Sequence, residues 1–392
     1  MDKIKLIKSS FLSEKKTKKK LCRFIRKADI LSMNKQCEMF EKNFSKKQKT
    51  KYSVFVSSGS SANLLLIQSL LNMKRLNLGD KILVSSLTWP TNIMPIIQLG
   101  LIPVLVDCNI ETLNMDVQSI KDTISKEKNI KGLFLTNVLG FCSEIDEIAK
   151  ICEEHNILFL EDNCESLGSE YKNKLLGNFG VASTFSFFVG HHISTIEGGM
   201  ICTNDKNLYE NLKMTRAHGW TRNNSRDFSE DLKNKHNIVK FYEKYTFYNL
   251  AYNMRPTEIS GFLGNEQIKF WDYIVKTRQK NFNIFSKAAM RNDKIISLKL
   301  KNLNKISNFA FPLIFKNKED CVEYAEHFLR ENIEIRPIVA GDMASQPFFK
   351  KYSKHKESPV THFIQENGFY IPNNPELTQP EINKIIKLIS GN

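Results

Sequence analysis

A chain of 392 residues is too long for one small core and suits a large α/β domain with a smaller companion. Its 41% hydrophobic and 25% charged residues mark a folded globular protein, and no run of eighteen apolar residues is present to span a membrane. The formal charge of +15 would attract anions, but the basic residues are spread along the chain with no helix-turn-helix, zinc-finger or RNP signature, so nucleic acid is not expected as a partner.

The N-terminal stretch MDKIKLIKSSFLSEKKTKKK carries a local basic cluster at residues 15–20 but lacks the apolar core of a secretory signal, which points to a cytoplasmic protein. The eight cysteines are scattered and form no C-x-x-C pair, so neither a zinc ribbon nor a disulfide framework is indicated. From about residue 51 to 202, short apolar runs alternate with amphipathic stretches. VFVSSG precedes the helical SANLLLIQSLL, and KILVSS precedes a turn and NIMPIIQLG. PVLVDCN, GLFLTNVLG and ILFLEDN are further strands, with DEIAKICEEHN a helix between the last two. Continuous apolar strands separated by helices predict a mostly parallel sheet covered on both faces. A long helix is predicted near residues 261–276. FAFPLIF and IEIRPIV then read as strands of a smaller α+β domain, dividing the chain into 1–275 and 276–392.

Ligands of such sheets collect beyond the carboxyl ends of the strands. There stands SSGSSAN, whose glycine permits close backbone approach and whose helix N-terminus offers N–H groups to a phosphate; a plain capped helix start reads the same way. Asp162, after an apolar strand, needs a positive partner such as a protonated ring nitrogen, or else a structural salt bridge or a cap. Trp89 could stack on a planar ligand or fill the core. Ser186 could hold a phosphate or bond the backbone. His191 and His192 are adjacent, so their side chains diverge and a shared metal site is not indicated.

The pieces occur together in the order of one family. SSGSSANL, SSLTWPTN, PVLVDCNIETLNMD, LFLEDNCESLGS, STFSFFVGHHISTIEGGM and YNMRPTEISGFLGNEQI, over about residues 50–270, resemble the DegT/DnrJ/EryC1/StrS nucleotide-sugar aminotransferases. The resemblance implies the type I fold of pyridoxal phosphate enzymes, with Asp162 on the pyridine nitrogen, Trp89 over the ring, and Gly59, Ser60 and Ser186 at the phosphate. Glu165 falls where these enzymes usually have a glutamine beside the ring hydroxyl. Asn253 would reach the phosphate of a neighbouring subunit, implying a homodimer with shared sites. His218 is a candidate substrate contact, and the guanidinium forks of Arg255 and Arg336 suit an anion or sugar contact or equally a surface or interface salt bridge.

One position departs from the pattern S-F-F-x-x-K-x-x-x-x-x-E-G-G. Counting back from Glu197 places the Schiff-base lysine at position 191, which is a histidine here. Imidazole forms no stable Schiff base yet remains a proton shuttle near neutral pH. The same replacement marks the family's 3-dehydratase branch. That likeness implies pyridoxamine phosphate as resting cofactor, a 4-keto-6-deoxy sugar linked to GDP as substrate, and L-glutamate as amino donor. RAHGWTRNNSRDF contains no cysteine, so no iron–sulfur cluster is expected. The alternative is a family-like protein that binds cofactor or sugar nucleotide without dehydrating it.

Overall fold

A computed structural model describes residues 3–353 and 358–391. Its centre is a seven-stranded sheet. Strands β1 (Tyr52–Val56), β2 (Lys81–Ser85), β3 (Ile102–Val106), β4 (Ile130–Thr136) and β5 (Leu158–Asp162) are joined by Ala182–Ser186 and Gly199–Thr203. Across the sheet the order is β1, Gly199–Thr203, Ala182–Ser186, β5, β4, β2, β3, and only Gly199–Thr203 runs against the rest.

The two-residue side-chain period sends neighbours into different cores. Ile82, Val84, Phe134 and Leu160 enter one apolar cluster, while Leu83, Leu133, Leu135 and Phe159 enter another on the opposite face. With both faces buried, each strand reads as an unbroken apolar run, as a mostly parallel sheet requires. Helix α3 (Gly59–Asn72) follows β1 directly, and Ser58 Oγ caps it by accepting from Ser61 N at 3.0 Å. Two earlier helices, α1 (Glu14–Lys27) and α2 (Lys35–Gln48), precede the sheet.

The helix predicted near 261–276 is two helices, Glu258–Gln267 and Trp271–Ala289, separated by a 3-10 turn at Ile268–Phe270. The first lies so close to α2 that side chains at Gly261 and Gly264 would strike Cys37 N and Phe40. The turn then redirects the chain so that Trp271 is buried with its ring against Phe44. Trp271–Ala289 continues without interruption through residue 275.

The C-terminal sheet pairs Ala310–Ile314 and Arg336–Pro337 on either side of Gly368–Pro372, all antiparallel. Only two residues of IEIRPIV join this sheet: the run sits at its edge, and Pro337 brings no N–H to a ladder. The core beneath this sheet also takes in Leu87, Val138, Leu139 and Phe141 from the first half of the chain. Residues 4–6 attach there too: Ile4 pairs with Ile333, and Leu6 N donates to Glu334 Oε2 at 2.9 Å.

Candidate active site

A cavity of about 310 Å³ opens beyond the carboxyl ends of the parallel strands and is walled by both halves of the chain. Asp162 ends β5 in register between Thr136 and Thr184, and its carboxylate lines the cavity. Oδ2 accepts from Asn63 Nδ2 at 2.9 Å and Asn92 Nδ2 at 2.8 Å, and Oδ1 accepts from Cys164 N at 2.9 Å. It is buried, yet no cation pairs with it among the described residues. The preceding Glu161 points the other way, as strand alternation demands, and is fully buried. Its oxygens accept from Gly177 N, Phe179 N and Gly180 N at 2.6–2.8 Å, which satisfies it structurally. Of the two adjacent acids, Asp162 alone faces the cavity.

Gly59, Ser60 and Ser186 stand together at one end of the cavity. A Cβ on Gly59 would lie 2.6 Å from Ser186 Cβ, so the first turn of α3 can approach that strand only because the residue is glycine. The free N–H groups of this turn face a space bordered by serine hydroxyls, a suitable anion cradle. Trp89 leaves 53% of its surface exposed while lining the cavity, so its indole is available to cover a planar ligand.

His191 follows the strand Ala182–Ser186 in a bend, with its N–H donating to Phe188 O at 2.9 Å. Its ring lines the cavity, packed against Phe309 and Phe188 with centroids 5.6 and 5.9 Å apart. Burial lowers its pKa to about 4, a fall that the nearby negative charge of Asp162 opposes, so the ring is neutral at pH 7. His192 is turned out of the cavity into the core, where its Nε2 meets the Ser307 carbonyl at 2.8 Å. A carbonyl only accepts, so Nε2 carries the hydrogen. Arg278, buried, donates to Phe309 O at 3.0 Å, to Asn308 O at 3.4 Å and to Asn373 O. His192 and Arg278 together hold the 307–309 segment that presents Phe309 to His191. One histidine faces the site and the other fastens its wall.

Glu165 Oε2 accepts from Leu139 N at 2.8 Å. Burial lifts its carboxyl to about 7, and the charge of Asp162 adds to the rise. Arg336 also lines the cavity, its guanidinium held by Glu334 at 2.8 Å. Three expected residues do not line the cavity of their own chain. Asn253 bridges to Ala217 and accepts from Arg255 Nε at 2.9 Å, while the ring of His218 packs 4.8 Å from Trp220. They form a group beside Met254, whose carbonyl accepts from Ser57 N at 3.1 Å.

The sequence reading overlooked Asn63 and Asn92, which orient Asp162. An asparagine inside the apolar helix SANLLLIQSLL was the available signal, since a buried amide must find a partner. Leu6, Phe309 and Tyr370, also in the wall, carried no local signal.

The model of the DegT/DnrJ/EryC1/StrS aminotransferase family matches residues 12–390. The chain belongs to that family. Among its DegT-family relatives, GDP-4-keto-6-deoxy-D-mannose 3-dehydratase of Escherichia coli O55:H7 is 36% identical over 355 residues, 88% of this chain and 89% of the relative. A solved structure of the E. coli GDP-4-keto-6-deoxy-D-mannose 3-dehydratase with bound hydrated PLP superposes with a TM-score of 0.90. It is 33% identical and covers 99% of this chain and all of that one. A structure of GDP-4-keto-6-deoxymannose 3-dehydratase with a trapped PLP–glutamate geminal diamine also gives 0.90 at 33% identity, covering 98% of this chain and 100% of that one. The fold is thus that of the PLP-dependent aminotransferases, as the motifs implied.

Proposed function

We propose that this protein removes the C3 hydroxyl of a GDP-linked 4-keto-6-deoxy sugar, using pyridoxamine phosphate that L-glutamate regenerates. The observation that carries the reading is His191, an imidazole in the cavity where the family keeps a lysine amine. The similar 3-dehydratases, whose structures contain PLP and a PLP–glutamate adduct, support the same reading.

The residues present fit the cofactor. Asp162 is a buried carboxylate held by two amides and lacking a cation, which a protonated ring nitrogen would supply. Gly59, Ser60 and Ser186 form the phosphate cradle, and Trp89 is free to cover the ring. When bound, the cofactor supplies an amine that condenses with the sugar's keto group and a ring that takes up electrons.

Asn63 and Asn92, each donating to Asp162 Oδ2, would hold that carboxylate toward the ring nitrogen. Glu165, protonated below about 7, donates to the ring hydroxyl oxygen. His191, neutral at rest, takes the proton from the carbon that bears the amine. It then hands that proton to the departing C3 hydroxyl, so one imidazole serves as base and acid. With no lysine at position 191, the cofactor is held by these non-covalent contacts. Hydrolysis yields a 4-keto-3,6-dideoxy sugar and ammonia, and L-glutamate becomes 2-oxoglutarate in restoring the amine form.

In this reading the enzyme is a homodimer, and Asn253, His218 and Arg255 serve the partner subunit's site; their position off their own cavity supports this. A cytoplasmic setting is supported by eight cysteines that are all free. Among the described residues no helix is long and apolar enough to cross a membrane.

The test is incubation of the purified protein with L-glutamate and a panel of 4-keto sugar nucleotides, followed by mass analysis. Loss of one oxygen at C3 with release of ammonia is the expected result; an aminated sugar would mark an aminotransferase instead. Replacing His191 with Asn should lower turnover at least about a hundredfold while cofactor uptake persists. Full turnover in that variant would remove His191 from the mechanism.

A further inference from the structure

The proposed chemistry leaves the basic helix α1 without a role. Its sequence, EKKTKKKLCRFIRK, holds eight basic residues and one acid. At 3.6 residues per turn, Lys15, Lys19, Arg23 and Lys27 stack in one row along the helix, with Lys16 on one side and Arg26 on the other. All six are exposed, and none makes an ion pair among the described residues. The remaining two cations are engaged: Lys18 pairs with Glu14, and Lys20 with Glu266.

The opposite face fixes the helix in place. Thr17 is buried and accepts from Gln267 Nε2 at 3.2 Å, and Phe24 stacks on Phe262 with ring centroids 4.6 Å apart. The basic row is therefore held rigidly outward by Glu258–Gln267. Like charges four residues apart destabilise a helix, and this row contains three such neighbouring pairs. Solvent screens that repulsion in part, and the row still presents a concentrated, unpaired positive charge that suits an external polyanion.

We propose that this face of α1 binds an anionic lipid surface. The row lies on a convex helix rather than in a groove. Just beyond Lys27, the row's last cation, the chain leaves Ile30 at 51% and Leu31 at 38% exposed, while the exposed Ile25 lies on the side of the helix away from the row. A cationic face with apolar neighbours suits a headgroup layer, which accepts both. A single nucleic-acid strand would call for aromatic platforms, and the helix's one aromatic, Phe24, is already stacked on Phe262; a duplex is the competing polyanion that the test separates.

The probes are phosphatidylcholine vesicles, the same vesicles with about one-third phosphatidylserine, and a short DNA duplex. The full chain should sediment with the serine-containing vesicles alone and be released as salt rises. Lys15→Gln, Lys19→Gln and Arg23→Gln combined should weaken that partitioning about a hundredfold, with cofactor uptake and unfolding midpoint unchanged. Glutamine keeps the helix propensity, and the salt titration needs no variant. Equal binding to both vesicles, binding to neither, an unaffected triple variant, or preference for the duplex at equal anionic charge would each overturn the proposal. The outcome is independent of whether the protein dehydrates a sugar.

Discussion

At His191 the protein half-buries an imidazole that the proposed mechanism needs neutral at rest. Its pKa falls from 6.5 to about 4 because the folded wall shuts out water, with Asp162 pulling the other way. Between those values the unfolded chain takes up a proton that the folded chain refuses. The stability associated with the neutral ring is therefore present above pH 6.5 and is lost as pH falls through 6.5 toward 4. In urea unfolding of the cofactor-free protein, wild type should lose stability relative to His191→Asn across that window and run parallel to it above. Glu165 titrates in the opposite sense: lifted from 4.5 to about 7, it costs stability as pH rises through that range. Glu165→Gln should abolish that loss relative to wild type, and curves parallel from pH 4.5 to 7 would contradict the half-buried neutral carboxyl.

The proposed phosphate cradle depends on backbones lying closer than side chains would allow. A Cβ on Gly199 would run into the Ser58 carbonyl and come within 2.8 Å of Gly59 N. These are backbone atoms at the start of α3 and cannot swing aside. Gly199→Ala should cost about 1–3 kcal/mol of stability. Because it displaces the turn carrying Gly59 and Ser60, it should also weaken cofactor binding, by about tenfold or more. Thermal unfolding and cofactor titration together check this: lost stability with unaltered cofactor affinity would separate strand packing from the cradle.

Across the subunit interface, the proposed dimer makes a quantitative demand. His191 and Asn253 would belong to the same site but come from different chains. Mixing inactive His191→Asn and Asn253→Ala subunits, with exchange, gives heterodimers in which one site carries both changes and the other carries none. About a quarter of wild-type activity should return. No recovery, despite exchange demonstrated by tagged subunits, would place both residues in one chain's site.

Much of this architecture was legible from local pattern. Apolar runs bounded by turn residues predicted β1 to β5, because a strand buried on both faces has no polar side to show. Asp162 and the turn around Gly59 stood out as strand-end positions, where such sheets bind ligands. The count back from Glu197 singled out position 191. The pattern did not reveal the turn at Ile268–Phe270, since apolar periodicity persists across it and the redirection arises from packing of Gly261 and Gly264 against α2. It also assigned IEIRPIV a full strand, although only Arg336–Pro337 joins the C-terminal sheet.

Residue order and type were enough to give the kind of sheet, the end of it where the cavity opens, and the imidazole at position 191, because each is written in spacings of a few residues. Folding alone brought Leu6, Phe309 and Tyr370 to the wall beside His191 and directed His192 away to Ser307. Those contacts join segments tens to hundreds of residues apart, and packing between distant surfaces leaves no periodic trace along the chain.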